Sequence, residues 1–164
     1  MFLNDEQKQL AQEIAAKLIA RNEKVAVAES TSGGLVSAAL LWVAGASKYY
    51  AGGGVTYTLA SRTALAGVPS IRYVDYHGTT PEMLAELAES MRQRLDANWC
   101  IAESGLAGPT SGRSGANPGK VTLAVAGPLS RTVIAETGIS DREANMVEFA
   151  TLALRYLNDA IPKA

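Results

Sequence analysis

Apolar residues recur at three- and four-residue spacing in three stretches of the chain, and between them run four or more together without a polar break. Leu10, Ile14 and Leu18 share one helix face, and Asn4 with Gln7 three residues later can cap that helix, which should end near Arg21 and Asn22. "KVAVAES" follows and reads as a short strand buried on both faces, leading into a helix from about Gly34 to Trp42 and the turn "AGAS". "GGGVTYTLA" predicts a second strand around Val55 to Thr58. "ASRTALAGV" predicts a short helix stopped at Gly67, with a loop from Val68 to Gly78.

Thr80 before Pro81 marks the next helix start, with Leu84, Leu87, Met91 and Leu95 on one face. "WCIAES" is a further strand, and "GLAGPTSGRSGANPG" has too many glycines and prolines to be regular. "KVTLAVAG" and "RTVIAETG" then form two strands joined at "PLS". Ser140 and Glu143 offer a capping box for a last helix with Val147, Ala150, Leu154 and Leu157 inward. Interleaved strands and helices predict an α/β fold, a three-layer α/β/α sandwich with a mixed, mostly parallel sheet.

A chain of 164 residues, 48% hydrophobic, suits one domain over residues 1–164. Its 15 basic and 16 acidic residues leave a formal charge of -1, which gives no reason to expect a nucleic-acid partner and fits a small neutral or singly charged ligand. The lone Cys100 excludes an intramolecular disulfide and speaks against a thiolate metal site. With neither an apolar leader nor a membrane-length apolar run, a cytoplasmic protein without a membrane partner is expected, and short sandwiches of this kind often pair as homo-oligomers.

One local pattern occurs twice. "VAESTSGGL" and "CIAESGLAGP" each send an apolar strand into Ala-Glu-Ser and then into glycine. Ligands on open α/β sheets bind where loops leave the carboxyl ends of strands, so Ser30 and Ser104 are expected to face one cleft. Gly33 and Gly34 open a helix and would let backbone N–H groups approach an anion or oxyanion. Glu29 and Glu103 read either as paired carboxylates or as groups bonded to nearby amides, and His77 either as a general base or as a solvated turn residue.

The series "VAESTSGGLVSAAL", "GASKYYAGGGVTY", "ESGLAGPTSG" and "GISDREA" resembles the CinA C-terminal domain family over nearly the whole chain. The resemblance implies a three-layer sandwich and metal-free, cofactor-free hydrolysis of the carboxamide of nicotinamide mononucleotide, giving nicotinic acid mononucleotide and ammonia. It implies Ser30 as nucleophile, with Thr31 and Ser32 where the family has Cys and Thr, and Ser104 as a retained hydroxyl. Tyr57 matches the family's Val-Thr-Tyr, and Gly105, Ala107 and Gly108 belong to its Gly-x-Ala-Gly-Pro segment. Asp141 and Arg142 match Gly-Asp-Arg without the glycine. Two departures stand out: Leu59 and Arg62 replace the family's Asn and Lys, and "NPGK" shortens Lys-Pro-Val-Gly-Thr, offering Lys120 instead.

An arginine cannot take the serine's proton, so the expected mechanism leaves proton transfer to Lys120 or His77. The oxyanion falls to amides near Gly33, Gly34 or Gly105, and a 5′-phosphate to Arg62 or Arg142. The alternatives are a nucleotide-binding or protein-interaction module that has lost catalysis, and an amidohydrolase acting on another small amide.

Overall fold

The structure, a computed structural model, describes residues 1–112 and 115–163. Arg113 and Ser114 of the glycine-rich loop, and Ala164, lie outside the described residues. Chain order is α1 (Asp5–Arg21), β1 (Val25–Glu29), α2 (Leu35–Trp42), β2 (Tyr50–Val55), α3 (Leu59–Ala64), α4 (Pro81–Arg94), β3 (Trp99–Gly105), β4 (Lys120–Ala126), β5 (Arg131–Glu136) and α5 (Arg142–Ala160). The five strands form one sheet in the order β2-β1-β3-β4-β5.

The sheet is α/β and mixed, as expected, but it is evenly divided rather than mostly parallel. β1 pairs parallel with β2 and β3, whereas β3–β4 and β4–β5 are antiparallel. A parallel return needs a crossover, usually a helix, and the described residues of the Gly/Pro loop between β3 and β4 supply none.

Strand alternation sorts the two faces by size. Val25, Val27, Trp99, Ile101, Val121, Leu123 and Val125 point into a core shared with α1, α2 and α5. Ala26, Ala28, Cys100, Ala102, Ala124 and Ala126 point the other way, under α4. Side chains this small let α4 settle close to the sheet with Leu84, Leu87 and Met91 against it. Burial pushes the Cys100 thiol far up, so it packs as a small hydrophobe.

Three boundaries differ from the sequence reading. β2 covers Tyr50–Val55 and runs through the glycines, where a strand was expected over Val55 to Thr58. A Cβ on Gly53 would meet the Val27 carbonyl oxygen at 2.2 Å, so close pairing with β1 requires glycine there. Thr58 instead caps α3 in a box with Ser61. α5 is capped by Asp141, whose carboxylate accepts the Ala144 N–H at 2.9 Å, and not by Ser140, because the helix begins one residue later than expected. Val147 is half-buried, and Phe149 fills the core beside Ala150, Leu154 and Leu157.

Leu87→Ala should open a void over the alanine face and lower unfolding free energy by about 2–5 kcal/mol. Chemical denaturation would measure it, and a cost below the lower figure would show that α4 collapses onto the sheet.

Candidate active site

The site follows from one register. β1 and β3 are parallel neighbours with Val25 beside Trp99 and Ala28 beside Ala102. Continued one step, that pairing sets Glu29 level with Glu103, and two steps set Ser30 level with Ser104. In parallel strands level residues share a face, so the two glutamates turn together toward α2 and the two serines toward α3 and α4. The repeated Ala-Glu-Ser is thus two strand ends side by side.

On the helix α2 side both carboxylates are spent on backbone. Glu29 is 1% exposed; its Oε1 accepts the N–H groups of Gly34 at 2.8 Å and Val36 at 3.1 Å, and its Oε2 accepts that of Ser37 at 2.9 Å. A carboxylate there also meets the positive end of α2. Glu103, equally buried, accepts the N–H groups of Ser30 and Ser32 on Oε1, each at 3.0 Å. Loss of hydration pushes its carboxyl above the ordinary range, and the charge of Glu29 adds to that against the opposing hydrogen bonds. Ser32, fully buried, sits between them, with Oγ 2.6 Å from Glu29 Oε1 and 2.7 Å from Glu103 Oε1.

On the other side lies a cavity of about 500 Å³ lined by both Ser30 and Ser104. Thr31 joins its two walls: its hydroxyl donates to the Gly105 carbonyl at 2.7 Å and accepts the Gly105 N–H at 3.1 Å. Gly105 itself has no room for a side chain, since a Cβ would meet the Phe149 ring at 2.5 Å. Tyr57 stands at the rim, and Leu59, Thr122 and Lys120 complete the wall. Among the described residues the lining holds two cations, Arg62 and Lys120, and no acid.

Arg62 is 2% exposed and among the described residues faces no carboxylate. Its Nη2 donates to Thr79 Oγ1 at 2.9 Å and to Ser104 Oγ at 3.1 Å, and its guanidinium carbon lies 5.8 Å from the centre of the Tyr73 ring. Thr79 Oγ1 is also 3.2 Å from Ser104 Oγ and 3.0 Å from Tyr76 Oη. The protons can be counted. Three hydroxyls bring three protons to two mutual contacts, and a donor-only guanidinium takes none, so one hydroxyl proton is always left for something outside the chain of bonds. Ser104 or Tyr76 at its ends can hand that proton to a ligand oxygen. Arg62 occupies lone pairs on Ser104 and cannot deprotonate it.

A family model of the CinA C-terminal domain matches residues 7–161. The chain is 38% identical over 149 residues to a CinA-like protein of Anaeromyxobacter dehalogenans (strain 2CP-C), covering 90% of this chain and 36% of that one. It is 43% identical over 120 residues to a CinA-like protein of Prochlorococcus marinus (strain MIT 9313), covering 73% of this chain and 28% of that one. The chain belongs to the CinA C-terminal domain family. It spans about a third of the length of the curated relatives it matches. The solved competence or damage-inducible protein from Enterobacter asburiae superposes with TM-score 0.88 at 25% identity, over 97% of this chain and 100% of that one. The competence/damage inducible protein from Agrobacterium tumefaciens gives 0.85 at 26% identity, over 96% and 97%.

Of the residues expected at the site, Ser30, Thr31, Tyr57, Arg62, Ser104, Gly105 and Lys120 line the cavity. The others are placed elsewhere. Glu29, Ser32 and Gly34 form the buried hydrogen-bonded cluster beneath α2, and the Gly33 N–H is taken by the Ser30 carbonyl at 3.1 Å, so these glycine amides are not open to an oxyanion. The carbonyls of Ala107 and Gly108 accept from Asn145 Nδ2 at 2.9 Å and Arg142 Nη1 at 2.7 Å. Those three expected binding residues, Ala107, Gly108 and Arg142, therefore tie the loop to α5. His77 is exposed and absent from the lining, although Tyr76 and Gly78 on either side belong to it. Sequence reasoning missed Thr79 and Tyr76. The doubled threonine of "GTTPE" was the available signal: Thr80 caps α4, leaving Thr79 to face the site.

Thr79→Val should leave Arg62 Nη2 short of an acceptor and cost about 1–3 kcal/mol in a denaturation curve. An unchanged curve would mean that the guanidinium does not depend on this hydroxyl.

Proposed function

We propose that this chain hydrolyses the carboxamide of a pyridine mononucleotide, nicotinamide mononucleotide first, to the corresponding acid and ammonia. The observation that carries the reading is the register that brings Ser30 and Ser104 level in the lining of one cavity. Its volume of about 500 Å³ falls in the range of small-molecule sites, and its two cations without a lining acid suit a ligand bearing a phosphate.

In this reading Ser30 is the nucleophile. Glu103 holds the Ser30 backbone N–H, which leaves the hydroxyl to face the cavity. Attack on the carboxamide carbon forms a C–O bond and puts charge on the carbonyl oxygen. The spare hydroxyl proton at Ser104, backed by Arg62, is the donor placed for that charge, in the role expected of the glycine amides. The Ser30 proton passes to the amine of Lys120, which returns it to the departing ammonia. Water then cleaves the acyl-enzyme and restores Ser30.

A second reading is favoured by Arg62. A lysine at that place can act as a base, whereas this guanidinium only donates, which fits a module that binds the nucleotide without turning it over.

Ammonia release from nicotinamide mononucleotide tests the proposal, and calorimetric binding without ammonia selects the second reading. Ser30→Ala should abolish release, and unchanged turnover would remove Ser30 as nucleophile. If the second reading holds, Arg62→Lys should restore release, on the order of the 10²-fold effect of a positioned base. A fall from robust wild-type activity would instead make Arg62 a substrate clamp.

A further inference from the structure

Beneath the cavity the contacts of Ser32 do not balance if both buried glutamates are ionised. Its hydroxyl lies 2.6 Å from Glu29 Oε1 and 2.7 Å from Glu103 Oε1, both hydrogen-bond distances, and it has one proton. One contact uses that proton. The other brings a lone pair of the serine against a carboxylate oxygen, which is repulsive unless a carboxyl supplies a second proton.

The surroundings decide which carboxyl it is. Glu29 takes three N–H groups at the start of α2, where negative charge is favoured. Glu103 takes two, and its Oε2 is buried with no partner. Leu123 stands opposite it on β4, and the buried faces of α2 and α5 carry no charged residue. Among the described residues the one titratable group acting on it is Glu29, a like charge.

We infer that Glu103 is protonated in the neutral-pH protein and is a positioning residue, its shared proton fixing the Ser30–Ser32 turn through Ser32 Oγ. The order of donation runs from Glu103 Oε1 to Ser32 Oγ and from Ser32 Oγ to Glu29 Oε1. Losing the proton sets two anions against one hydroxyl, which breaks the Ser32 Oγ link between the two carboxyls in the turn that carries Ser30. Only the consequence for turnover rests on the proposed amidase reading.

The sign of the pH effect follows. An acid raised in the folded state contributes stability that is complete below its unfolded pKa and is lost as pH rises through the folded value. Burial raises Glu103, so its contribution should fade on the alkaline side of the ordinary carboxylate range.

Protein labelled with ¹³C-glutamate, with side-chain carboxyl resonances assigned through bonds in the wild type, tests this without any variant. The Glu103 carboxyl should remain at the protonated position at pH 7, titrate only above it, and shift the Ser30 and Ser32 amide protons with the same midpoint. A Glu103 resonance already ionised at pH 7 overturns the proposal, as does a titration that leaves both amides unmoved. Glu103→Gln, if it folds, should remove the protonated resonance, whereas its persistence would assign the proton to another residue and overturn the inference. These readouts need no turnover, so a protein that releases no ammonia fails the amidase reading alone. Where ammonia is released, kcat should fall with the Glu103 midpoint, and a flat profile across it overturns the positioning role.

Discussion

The hydrogen bonds from the Ser30 and Ser32 amides to one oxygen of Glu103 join the end of β1 to the end of β3, and the geometry of the candidate site depends on that join. Sheet pairing alone aligns the strands only as far as Ala28 and Ala102. Beyond that point the chain leaves β1 for α2, and backbone groups that the sheet no longer satisfies must find partners or be left buried at a cost. The two glutamates are those partners. Their placement on the face away from the cavity lets the alternate residues, Ser30 and Ser104, face into it.

Such a join has an electrostatic cost. Two buried carboxyls in contact with one serine hydroxyl cannot both be ionised without strong repulsion, and a half-satisfied polar network is worse than an apolar one. The helix dipole of α2 and three N–H donors offset the charge of Glu29. Glu103 has no such compensation on Oε2. The asymmetry between two residues that look alike in the sequence therefore comes from what each meets after the strand ends: one a helix start, the other a glycine loop.

That difference also marks how far the sequence could be read. Helix faces such as Leu10, Ile14 and Leu18, the cap at Thr80, and the repeated Ala-Glu-Ser were legible because each is a local pattern with a local cause. The antiparallel half of the sheet was harder to read, since it depends on the Gly/Pro segment not forming a crossover helix. The β2 boundary was misplaced because glycine normally weakens a strand, while here Gly53 is required by the close approach of Val27. At the site, the serines were legible from their spacing. Thr79 and Tyr76 come to Ser104 through α3 and α4 packing on the sheet, a long-range relation that no window of sequence contains.

The substitution at position 62 illustrates how such packing changes chemistry without changing the fold. A guanidinium buried beside Tyr73 keeps the wall intact and polarises two hydroxyls, both as an obligate donor. The guanidinium takes no proton from Ser104 or Thr79, so one hydroxyl proton of the three stays spare for a ligand at Ser104 or Tyr76, which makes this wall of the cavity a donor surface. A donor surface stabilises negative charge on a ligand oxygen and can do nothing to remove a proton from a serine. On the amidase reading the base therefore comes from another residue of the lining, and Lys120, which begins β4, is the one that reading assigns.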